Sequence, residues 1–223
     1  MRALVTGARG GIGRALAERL EREGCEVERL DLLDGFDVGD PGAWEGVGPV
    51  DVACLNAGVL TGAADPREVS VDAYRRAVSV NVDGVVLGVR RLAQVMEGGA
   101  IVVTASLAGL TAMPSDPVYT LTKHALVGYV RSVAPHLEPI RINAVCPGIA
   151  DTPMVDHQRA AFEAAGFPLV APAAVADAMW QTVASGRTGE AWFVQPGREA
   201  APFRFPNLPG PRVAEGSVGP PPL

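Results

Sequence analysis

The chain contains almost no lysine. Of its 19 basic residues, Lys123 is the only lysine and all the others are arginine. A lysine side chain carries a compact point charge on a flexible stem, whereas an arginine side chain carries a planar fork, so Lys123 has a specific chemical use. The 25 acidic residues give a net charge of −6, which leaves no basic patch to neutralise phosphates. The composition therefore argues against a nucleic-acid-binding protein.

Two further absences narrow the class of protein. No apolar run reaches the ~18 residues that a membrane-spanning helix needs, and the N-terminus lacks the layout of a signal peptide. The few cysteines lie in apolar, strand-like surroundings without metal-ligand spacing, which indicates buried thiols in a reducing compartment. These are Cys25, Cys54 and Cys146. We therefore expect a globular cytoplasmic protein without a metal site.

Short apolar segments alternate with helical segments along most of the chain. Strands are predicted at residues 3–5, 27–31, 50–55, 100–104, 140–145 and 191–195. Helices are predicted at 12–23, around Tyr119, at 156–165 and 173–185, and over 71–96 with a break near 81–84. This alternation predicts an α/β fold, a single doubly wound parallel sheet of about seven strands with helices on both faces. Ligands bind such sheets beyond the carboxyl ends of the strands.

The last part of the sequence differs in composition. Eight of the 19 prolines lie in residues 196–222, so we expect a domain over 1–198 and a Pro-rich tail over 199–223. Phe203, Phe205, Leu208 and Val213 interrupt this tail, and free tails are normally poorer in aromatics. Residues 203–208 are therefore predicted to pack, either on the chain's own core near the ligand cleft or across an interface. Residues 217–223 are expected to be loosely held. A disordered tail with incidental phenylalanines is the alternative.

A glycine-rich turn follows the first predicted strand, with glycines at Gly7, Gly10, Gly11 and Gly13. Such a turn brings backbone close to a ligand, and the N-terminus of the next helix offers N–H groups to a pyrophosphate. The turn differs from the usual dinucleotide fingerprint, and it lacks the Gly-Lys-Ser/Thr ending of a P-loop. Asp31 ends the second strand, where a carboxylate accepts from the adenosine hydroxyls of NAD and repels a 2′-phosphate. A turn cap is the alternative role for Asp31.

Tyr119 stands four residues before Lys123. On a helix such residues share a face, with Cβ atoms about 5–6 Å apart. A phenol titrates near pH 10 in water, and a nearby cation favours its charged form. We therefore predict that Lys123 lowers the pKa of Tyr119 and makes the phenol a usable acid and base. Spacing alone leaves open an exposed tyrosine beside a solvated lysine.

These motifs together resemble the short-chain dehydrogenase/reductase family over roughly residues 2–195. The glycine turn is similar to the TGxxxGxG of that family, and Tyr119 and Lys123 are similar to its YxxxK. Asp37-Val38 resembles the adenine-contacting pair of the family, and Asn56-Ala57-Gly58 resembles its NAG motif. Asn81 and Ser106 resemble its catalytic asparagine and serine. Residues 143–148 with Thr152 resemble its nicotinamide-binding segment.

The resemblance implies a Rossmann-type fold and hydride transfer between NAD(H) and a secondary alcohol or ketone, with NADP less expected. The implied catalytic residues are Asn81, Ser106, Tyr119 and Lys123. The implied cofactor-binding residues are Gly7, Arg9, Gly11, Ile12, Gly13, Asp31, Asp37, Val38, Asn56, Ala57, Gly58, Tyr119, Lys123, Pro147, Gly148, Ile149 and Thr152. A homodimer or homotetramer is also implied. An NAD-binding sensor without turnover and a partner-binding module remain alternatives.

The resemblance also assigns a role to each catalytic residue. Tyr119 exchanges the proton, Ser106 donates a hydrogen bond to the substrate oxygen, and Asn81 holds a water that relays protons from Lys123. Lys123 also binds the ribose hydroxyls of the nicotinamide half. Apolar residues that follow the strands suggest a substrate with apolar character: Leu107, Leu110, Met113, Ile149 and Met154. Asp116 and His124, which flank the pair, are expected to be surface or loop residues.

Three departures from the family pattern stand out. The helix expected before the third strand is reduced to a stub at 43–47. Gly10 stands where NADP-preferring relatives often carry a basic residue, and Arg9 lies one place earlier. The region 151–171 is short for a substrate lid. These departures bear on the substrate and on assembly rather than on the type of reaction.

Overall fold

The computed structural model describes residues 1–207, 212–213 and 216–217. These residues contain a seven-stranded sheet in the order β2-β1-β3-β4-β5-β6-β7, in which only β7 runs antiparallel to its neighbour. The strands are β1 (Arg2–Thr6), β2 (Glu26–Leu30), β3 (Val52–Leu55), β4 (Gly99–Thr104), β5 (Ile140–Pro147), β6 (Ala191–Val194) and β7 (Ala201–Pro202). A separate short pair consists of β8 (Arg212–Val213) and β9 (Gly216–Ser217). The predicted α/β sheet of about seven strands is confirmed.

Helices cover both faces of this sheet. The α-helices of the described residues are α1 (Gly11–Arg22), α2 (Val71–Val78), α3 (Gly84–Val95), α4 (Pro117–Val133), α5 (Arg159–Ala164) and α6 (Pro172–Ala184). Shorter 3₁₀ turns occupy Leu32–Asp34, Pro41–Gly46, Leu107–Gly109, Ala134–His136 and Pro153–Gln158. One hydrophobic cluster joins the sheet to α3 and α4, and a second joins it to α1 and α6. The side chains of β4 alternate between them, with Ile101 and Val103 in the first and Val102 in the second.

The predicted break in the helix over 71–96 is an interruption of the α-helix that leaves the backbone helical. Residues Ser79–Asp83 form a π turn between α2 and α3, and the backbone stays in the right-handed helical region at Val78 and Gly84. A π turn inserts an extra residue into a helix without ending it, and such turns are frequent at functional sites. Asn81 lies within this turn and is completely buried.

The sheet is thin at its β2 edge, as expected. β2 is the last strand on that side, and the stub predicted at 43–47 is the 3₁₀ turn Pro41–Gly46. Trp44 in this turn is buried, and its indole N–H donates to the Val38 carbonyl at 2.9 Å. The Phe36 ring meets the Trp44 ring edge-on at a centroid distance of 5.1 Å. These two aromatic residues therefore cover the core where a longer helix is missing.

The proline-rich tail begins with β7, which pairs with β6 and was not predicted. Beyond it, the Phe205 ring packs against the core and lies 3.7 Å from the Arg131 guanidinium on α4. Phe205 therefore packs on the chain's own core, as predicted for residues 203–208, whereas Phe203 is exposed. Arg131 lies 12 residues after Tyr119, or about 18 Å along the helix, so this contact is remote from the expected cleft. Leu208, the side chain of Val213 and, apart from the Ser217 backbone, residues 217–223 lie outside the described residues.

The remaining expectations concern the cysteines and the membrane. Cys25, Cys54 and Cys146 are free and buried, as predicted. Among the described residues, no helix has both the length and the apolar character needed to cross a bilayer.

Candidate active site

The ends of three neighbouring strands are fastened by one asparagine. The Asn56 amide N–H donates to Thr6 Oγ1 at 2.9 Å, and its side-chain Nδ2 donates to the Thr6 carbonyl at 3.1 Å. Thr104 Oγ1 in turn donates to Asn56 Oδ1 at 3.0 Å. These contacts lie at the carboxyl ends of β1, β3 and β4. Strand order reverses between β1 and β3, and ligands bind α/β sheets at such a switch point.

The glycine turn packs too closely for side chains. Gly7 has φ +63°, and a Cβ there would lie 2.9 Å from the Ala57 Cα. A Cβ on Gly11 would lie 2.6 Å from the Thr152 Cγ2. The turn is therefore in contact with both the loop after β3 and the segment after β5. No side chain caps the first turn of α1, whose N–H groups fit a pyrophosphate.

Asp31 has the capping role that the sequence left open. Its Oδ2 accepts from the Arg9 backbone N–H at 2.9 Å, and its Oδ1 accepts from Leu33 at 3.0 Å. A carboxylate has about four acceptor positions, so two remain for ligand hydroxyls. The Arg9 guanidinium pairs with Asp34 through two hydrogen bonds, with Nε at 2.7 Å from Oδ2. A phosphate would therefore have to compete with Asp34 for Arg9.

The predicted adenine-contacting pair lies between β2 and β3. Asp37 is exposed, and its Oδ1 accepts the Gly39 N–H at 2.9 Å. The Val38 side chain is buried in the core, where a Cβ on Gly84 would lie 2.7 Å from Val38 Cγ2. Only backbone atoms of Val38 are therefore suited to contact a ligand.

Tyr119 and Lys123 lie together on α4. The Lys123 Nζ is 5.3 Å from the centroid of the Tyr119 ring and donates to the Thr104 carbonyl at 2.8 Å. Lys123 is only 2% exposed, which excludes the solvated lysine that spacing alone left open. Burial lowers the pKa of Lys123 to about 8, because the charged form loses its hydration.

The phenol does not have the lowered pKa that the sequence predicted. Burial raises the pKa of Tyr119 to about 12, and the nearby Asp116 and Cys146 add to the rise. A hydrogen bond with the Ser106 side chain acts in the opposite direction. The Lys123 ammonium lies over the face of the Tyr119 ring and donates to the Thr104 carbonyl rather than to the phenol oxygen. Desolvation therefore has the larger effect on the pKa of Tyr119. The predicted lowering is therefore wrong, and the phenol holds its proton at neutral pH.

Ser106 lies two residues after the end of β4, behind the buried Ala105. Its Oγ accepts the Ala108 N–H at 3.1 Å and so caps the 3₁₀ turn Leu107–Gly109. The capping role does not use the hydroxyl hydrogen, which Ser106 can donate to the Tyr119 phenol oxygen or to a ligand. Ser106 therefore has the geometry to donate to a substrate oxygen beside Tyr119.

Asn81 joins the loop after β3 to α4. Its Oδ1 accepts the Val59 N–H at 2.8 Å, while Nδ2 donates to the Val59 carbonyl at 2.9 Å and to Thr122 Oγ1 at 3.0 Å. Both amide hydrogens are used, so one Oδ1 lone pair is left for a water. A Cβ on Gly58 would lie 3.4 Å from Asn81 Oδ1 and 3.5 Å from Lys123 Nζ. The polar ends of Asn81 and Lys123 therefore meet at Gly58.

The segment after β5 lines the same crevice. The Gly148 N–H donates to the Val194 carbonyl at 2.9 Å, and the Val170 N–H donates to the Ile149 carbonyl at 2.8 Å. Pro147 ends β5 between these contacts and the buried Cys146. Thr152, further along this segment, lies against Gly11 of the glycine turn.

The candidate substrate-pocket residues differ in exposure. Leu107 and Leu110 are partly buried and pack against the core, whereas Met154 is 40% exposed. Met113 and Ile149 are half-buried. The apolar character near Ser106 is therefore provided mainly by the 3₁₀ turn that Ser106 caps.

Sequence reasoning missed the burial of one important residue. Asp116 was expected to be a surface or loop residue, and it lies in the loop directly before α4. It is only 3% exposed, however, and accepts four hydrogen bonds from Thr61, Gly62 and Tyr119. Thr61 lies 55 residues earlier, so no local pattern points to this contact. The only local signal is the position of Asp116 directly before Pro117, which is typical of a helix N-cap. His124 is exposed, as expected.

Known proteins similar to this chain share its fold. A family model described as enoyl-(acyl carrier protein) reductase matches residues 42–185. The 1-deoxy-11-beta-hydroxypentalenate dehydrogenase of Streptomyces exfoliatus is 31% identical over 221 residues, covering 83% of this chain and 80% of the relative.

Two solved structures from Brucella melitensis superpose closely on this chain. One is described as a short-chain dehydrogenase/reductase, glucose/ribitol dehydrogenase, with TM-score 0.79, 29% identity and coverage of 88% of this chain and 95% of that chain. The other is a 3-ketoacyl-(acyl-carrier-protein) reductase complexed with NADH, with TM-score 0.77, 26% identity and coverage of 88% and 97%.

Proposed function

This chain belongs to the short-chain dehydrogenase/reductase family of oxidoreductases, and we propose that it transfers a hydride between NAD(H) and a secondary alcohol or ketone. The observation that carries this proposal is the burial of Lys123 beneath the Tyr119 ring at the carboxyl ends of the strands. A buried ammonium is costly, and its placement beside a phenol gives it a use in chemistry rather than in stability.

Each residue of the site has a separate role in such a reaction. A bound nicotinamide supplies or accepts the hydride. Tyr119 gives its proton to the carbonyl oxygen in reduction, or takes the proton from the hydroxyl in oxidation. Ser106 donates a hydrogen bond to the same oxygen and stabilises the charge that develops there. Lys123 and Asn81 hold the Tyr119 side of the site in place through Thr104 and Val59.

The raised pKa of Tyr119 affects the two directions differently. A phenol with a pKa of about 12 is protonated across the neutral range, which suits proton donation to a ketone. Oxidation requires the phenolate, whose fraction grows with pH. We therefore propose that kcat/KM for alcohol oxidation rises with pH while ketone reduction is active at neutral pH.

The proposed cofactor is NAD rather than NADP. The Asp31 carboxylate lies at the end of β2 beside the glycine turn, and Arg9 is already paired with Asp34. Placing a 2′-phosphate beside Asp31 would bring like charges together in a partly buried site. One solved structure similar to this chain is complexed with NADH, which supports the same choice.

The decisive experiment combines a substrate panel with a single variant. Secondary alcohols with NAD and the corresponding ketones with NADH are tested for cofactor turnover, with Tyr119→Phe as the matched variant. We predict that Tyr119→Phe retains NAD binding but loses a factor of about 10²–10⁴ in kcat. Turnover of the variant within a few-fold of wild type would contradict the role of Tyr119. NAD binding without turnover of any substrate would favour a sensor.

We propose further that the enzyme works as a homodimer or homotetramer in the cytoplasm. The exposed Leu121 on α4, which is 54% exposed, is the kind of apolar side chain that an interface between copies would cover. Light scattering of the purified protein tests this, because a monomeric mass at micromolar concentration would contradict it.

A further inference from the structure

Asp116 is a buried carboxylate that is bound by neutral donors. Its Oδ2 accepts the N–H groups of Thr61 at 2.7 Å and Gly62 at 3.0 Å. Its Oδ1 accepts the Thr61 hydroxyl at 2.7 Å and the Tyr119 N–H at 2.8 Å. Among the described residues, no arginine, lysine or histidine pairs with it. Burial of an unpaired charge is costly, so a role beyond packing is expected.

Helix capping explains only one of the four hydrogen bonds. Asp116 is the N-cap of α4, and its bond to the Tyr119 N–H is the usual capping contact. Serine or asparagine would cap this helix about equally well. The other three bonds all go to Thr61 and Gly62 in the loop after β3. A carboxylate is the side chain with enough acceptor positions for both tasks.

Asp116 and Asn81 both bind the loop that follows β3. Asn81 binds both the N–H and the carbonyl of Val59, and Asp116 binds Thr61 and Gly62, which begin two residues further on. The loop is therefore fixed at two points, and the second point is the turn of α4 that carries Tyr119. A shift of Asp116 would change the position of the phenol relative to the loop.

The charge of Asp116 also acts on the phenol. It raises the pKa of Tyr119, and so does Cys146 on β5, while the Lys123 ammonium faces the ring from the same helix. These are the titratable groups that face the phenol from α4 and β5. Of the three, Asp116 alone is also bonded to the Tyr119 backbone.

We propose that Asp116 is a positioning residue, which fixes the Tyr119 turn of α4 against the Thr61–Gly62 loop. This inference rests on the proposed oxidoreductase function and adds to it a residue outside the Asn81, Ser106, Tyr119 and Lys123 set. It assigns the geometry of the Tyr119 turn to this one carboxylate, and the negative charge of Asp116 is expected to act on the phenol as well.

The test compares Asp116→Asn with Thr61→Val. Asp116→Asn removes the charge at nearly constant shape, while Thr61→Val removes one hydrogen bond and keeps the charge. The rise of kcat/KM for alcohol oxidation with pH, here called the pH limb, has an apparent pKa. In Asp116→Asn, we expect this apparent pKa to fall by about one unit, because a negative charge several ångströms from the phenol is removed. The kcat at neutral pH for ketone reduction should fall about tenfold, with KM for NADH unchanged. In Thr61→Val, kcat should fall a few-fold and the limb should stay in place.

A limb that does not move in Asp116→Asn, with kcat within twofold of wild type, would overturn the proposal. If Asp116→Asn does not fold, Asp116→Ser, which keeps the cap, is measured in the same way. Titration of the phenol by tyrosinate absorption, as a difference from the Tyr119→Phe derivative, gives a readout that needs no substrate. A wild-type protein without turnover therefore counts against the proposed function alone, while an unshifted phenol titration counts against the role of Asp116.

Discussion

At the scale of single residues, the buried charge of Lys123 makes stability depend on pH. Its folded pKa of about 8 lies below the ordinary value of 10.5. Below pH 8 both the folded and the unfolded states are protonated, so the native state bears the full cost of burying the ammonium. Between pH 8 and 10.5 the unfolded state binds more protons, and stability therefore rises with pH through this window.

Lys123→Met should isolate this effect. The shift corresponds to a cost on the order of 3 kcal/mol at pH 7, from which the loss of the donor to Thr104 subtracts about 1 kcal/mol at every pH. We predict that the variant is more stable than wild type at pH 7 and loses that advantage by pH 10.5, while its activity is abolished. Urea denaturation of both proteins at the two pH values measures this. A difference in stability that is the same at both pH values would contradict the buried charge.

A second single-residue change, Asp31→Ala, tests the choice between NAD and NADP. Asp31→Ala removes the carboxylate that lies beside the glycine turn, and we expect the ratio of kcat/KM for NAD over NADP to fall by at least tenfold. The reason is that like-charge repulsion of a 2′-phosphate and the hydrogen bonds to the ribose are lost together. Glu28→Ala, which removes an exposed carboxylate from β2, the strand that Asp31 follows, is the control for net charge. A fall of the ratio in Glu28→Ala of equal size would show that Asp31 has no special position.

Local spacing predicts some of these residues and not others. Tyr119 and Lys123 could be paired from sequence because helical spacing alone brings residues four apart onto one face. The burial of Asp116 could not, because its partner Thr61 is 55 residues away and joined only through the fold. The direction of the Tyr119 pKa shift was wrong for a related reason. Spacing reveals the neighbouring cation but not the loss of solvent around the ring.

At the scale of elements, two positions of the glycine turn differ in the space that they leave for a side chain. A Cβ on Gly13 would lie 2.0 Å from the Gly7 carbonyl oxygen, which cannot move without opening the turn. Gly10 has φ −71° and only one neighbouring atom, at 3.3 Å. We predict that Gly13→Ala destabilises the protein by about 3 kcal/mol or more, whereas Gly10→Ala costs less than about 1 kcal/mol. Chemical denaturation of both variants checks this, and equal losses would contradict the packing of the turn.

The elements themselves were predicted well where the hydrophobic pattern is strong. The strand at residues 100–104 is a continuous apolar run up to Thr104, and the strand at 140–145 is apolar apart from Arg141 and Asn143. Both are largely buried parallel strands in the structure. The π turn at Ser79–Asp83 was interpreted as a break because an inserted residue interrupts the 3.6-residue period without ending the helix. The strand β7 was missed because its two residues include Pro202, and it depends on pairing with β6.

At the scale of the whole molecule, the chemistry and the tail lie at opposite ends of α4. Tyr119 is in the first turn of the helix, near the carboxyl ends of the strands, while Arg131 holds Phe205 in its last turn. The division at residue 198 that the sequence suggested separates the catalytic residues from β7 and Phe205. We propose that residues 199–207 stabilise the domain and take no part in the reaction.

Truncation at two positions separates these roles. Ending the chain after Gly197 removes β7 together with Phe203 and Phe205, whose rings are 4.9 Å apart, whereas ending it after Asn207 keeps them. Loss of this partly buried aromatic surface should cost about 2 kcal/mol, which lowers Tm by about 4–8 °C in a chain of this size. We expect the Gly197 truncation to melt lower by that amount with kcat/KM within twofold of wild type, and the Asn207 truncation to melt close to wild type. Phe205→Ala in the full chain should reproduce about half of the fall in Tm. If the Gly197 truncation lost activity with Tm unchanged, the tail would belong to the catalytic cleft rather than to the core.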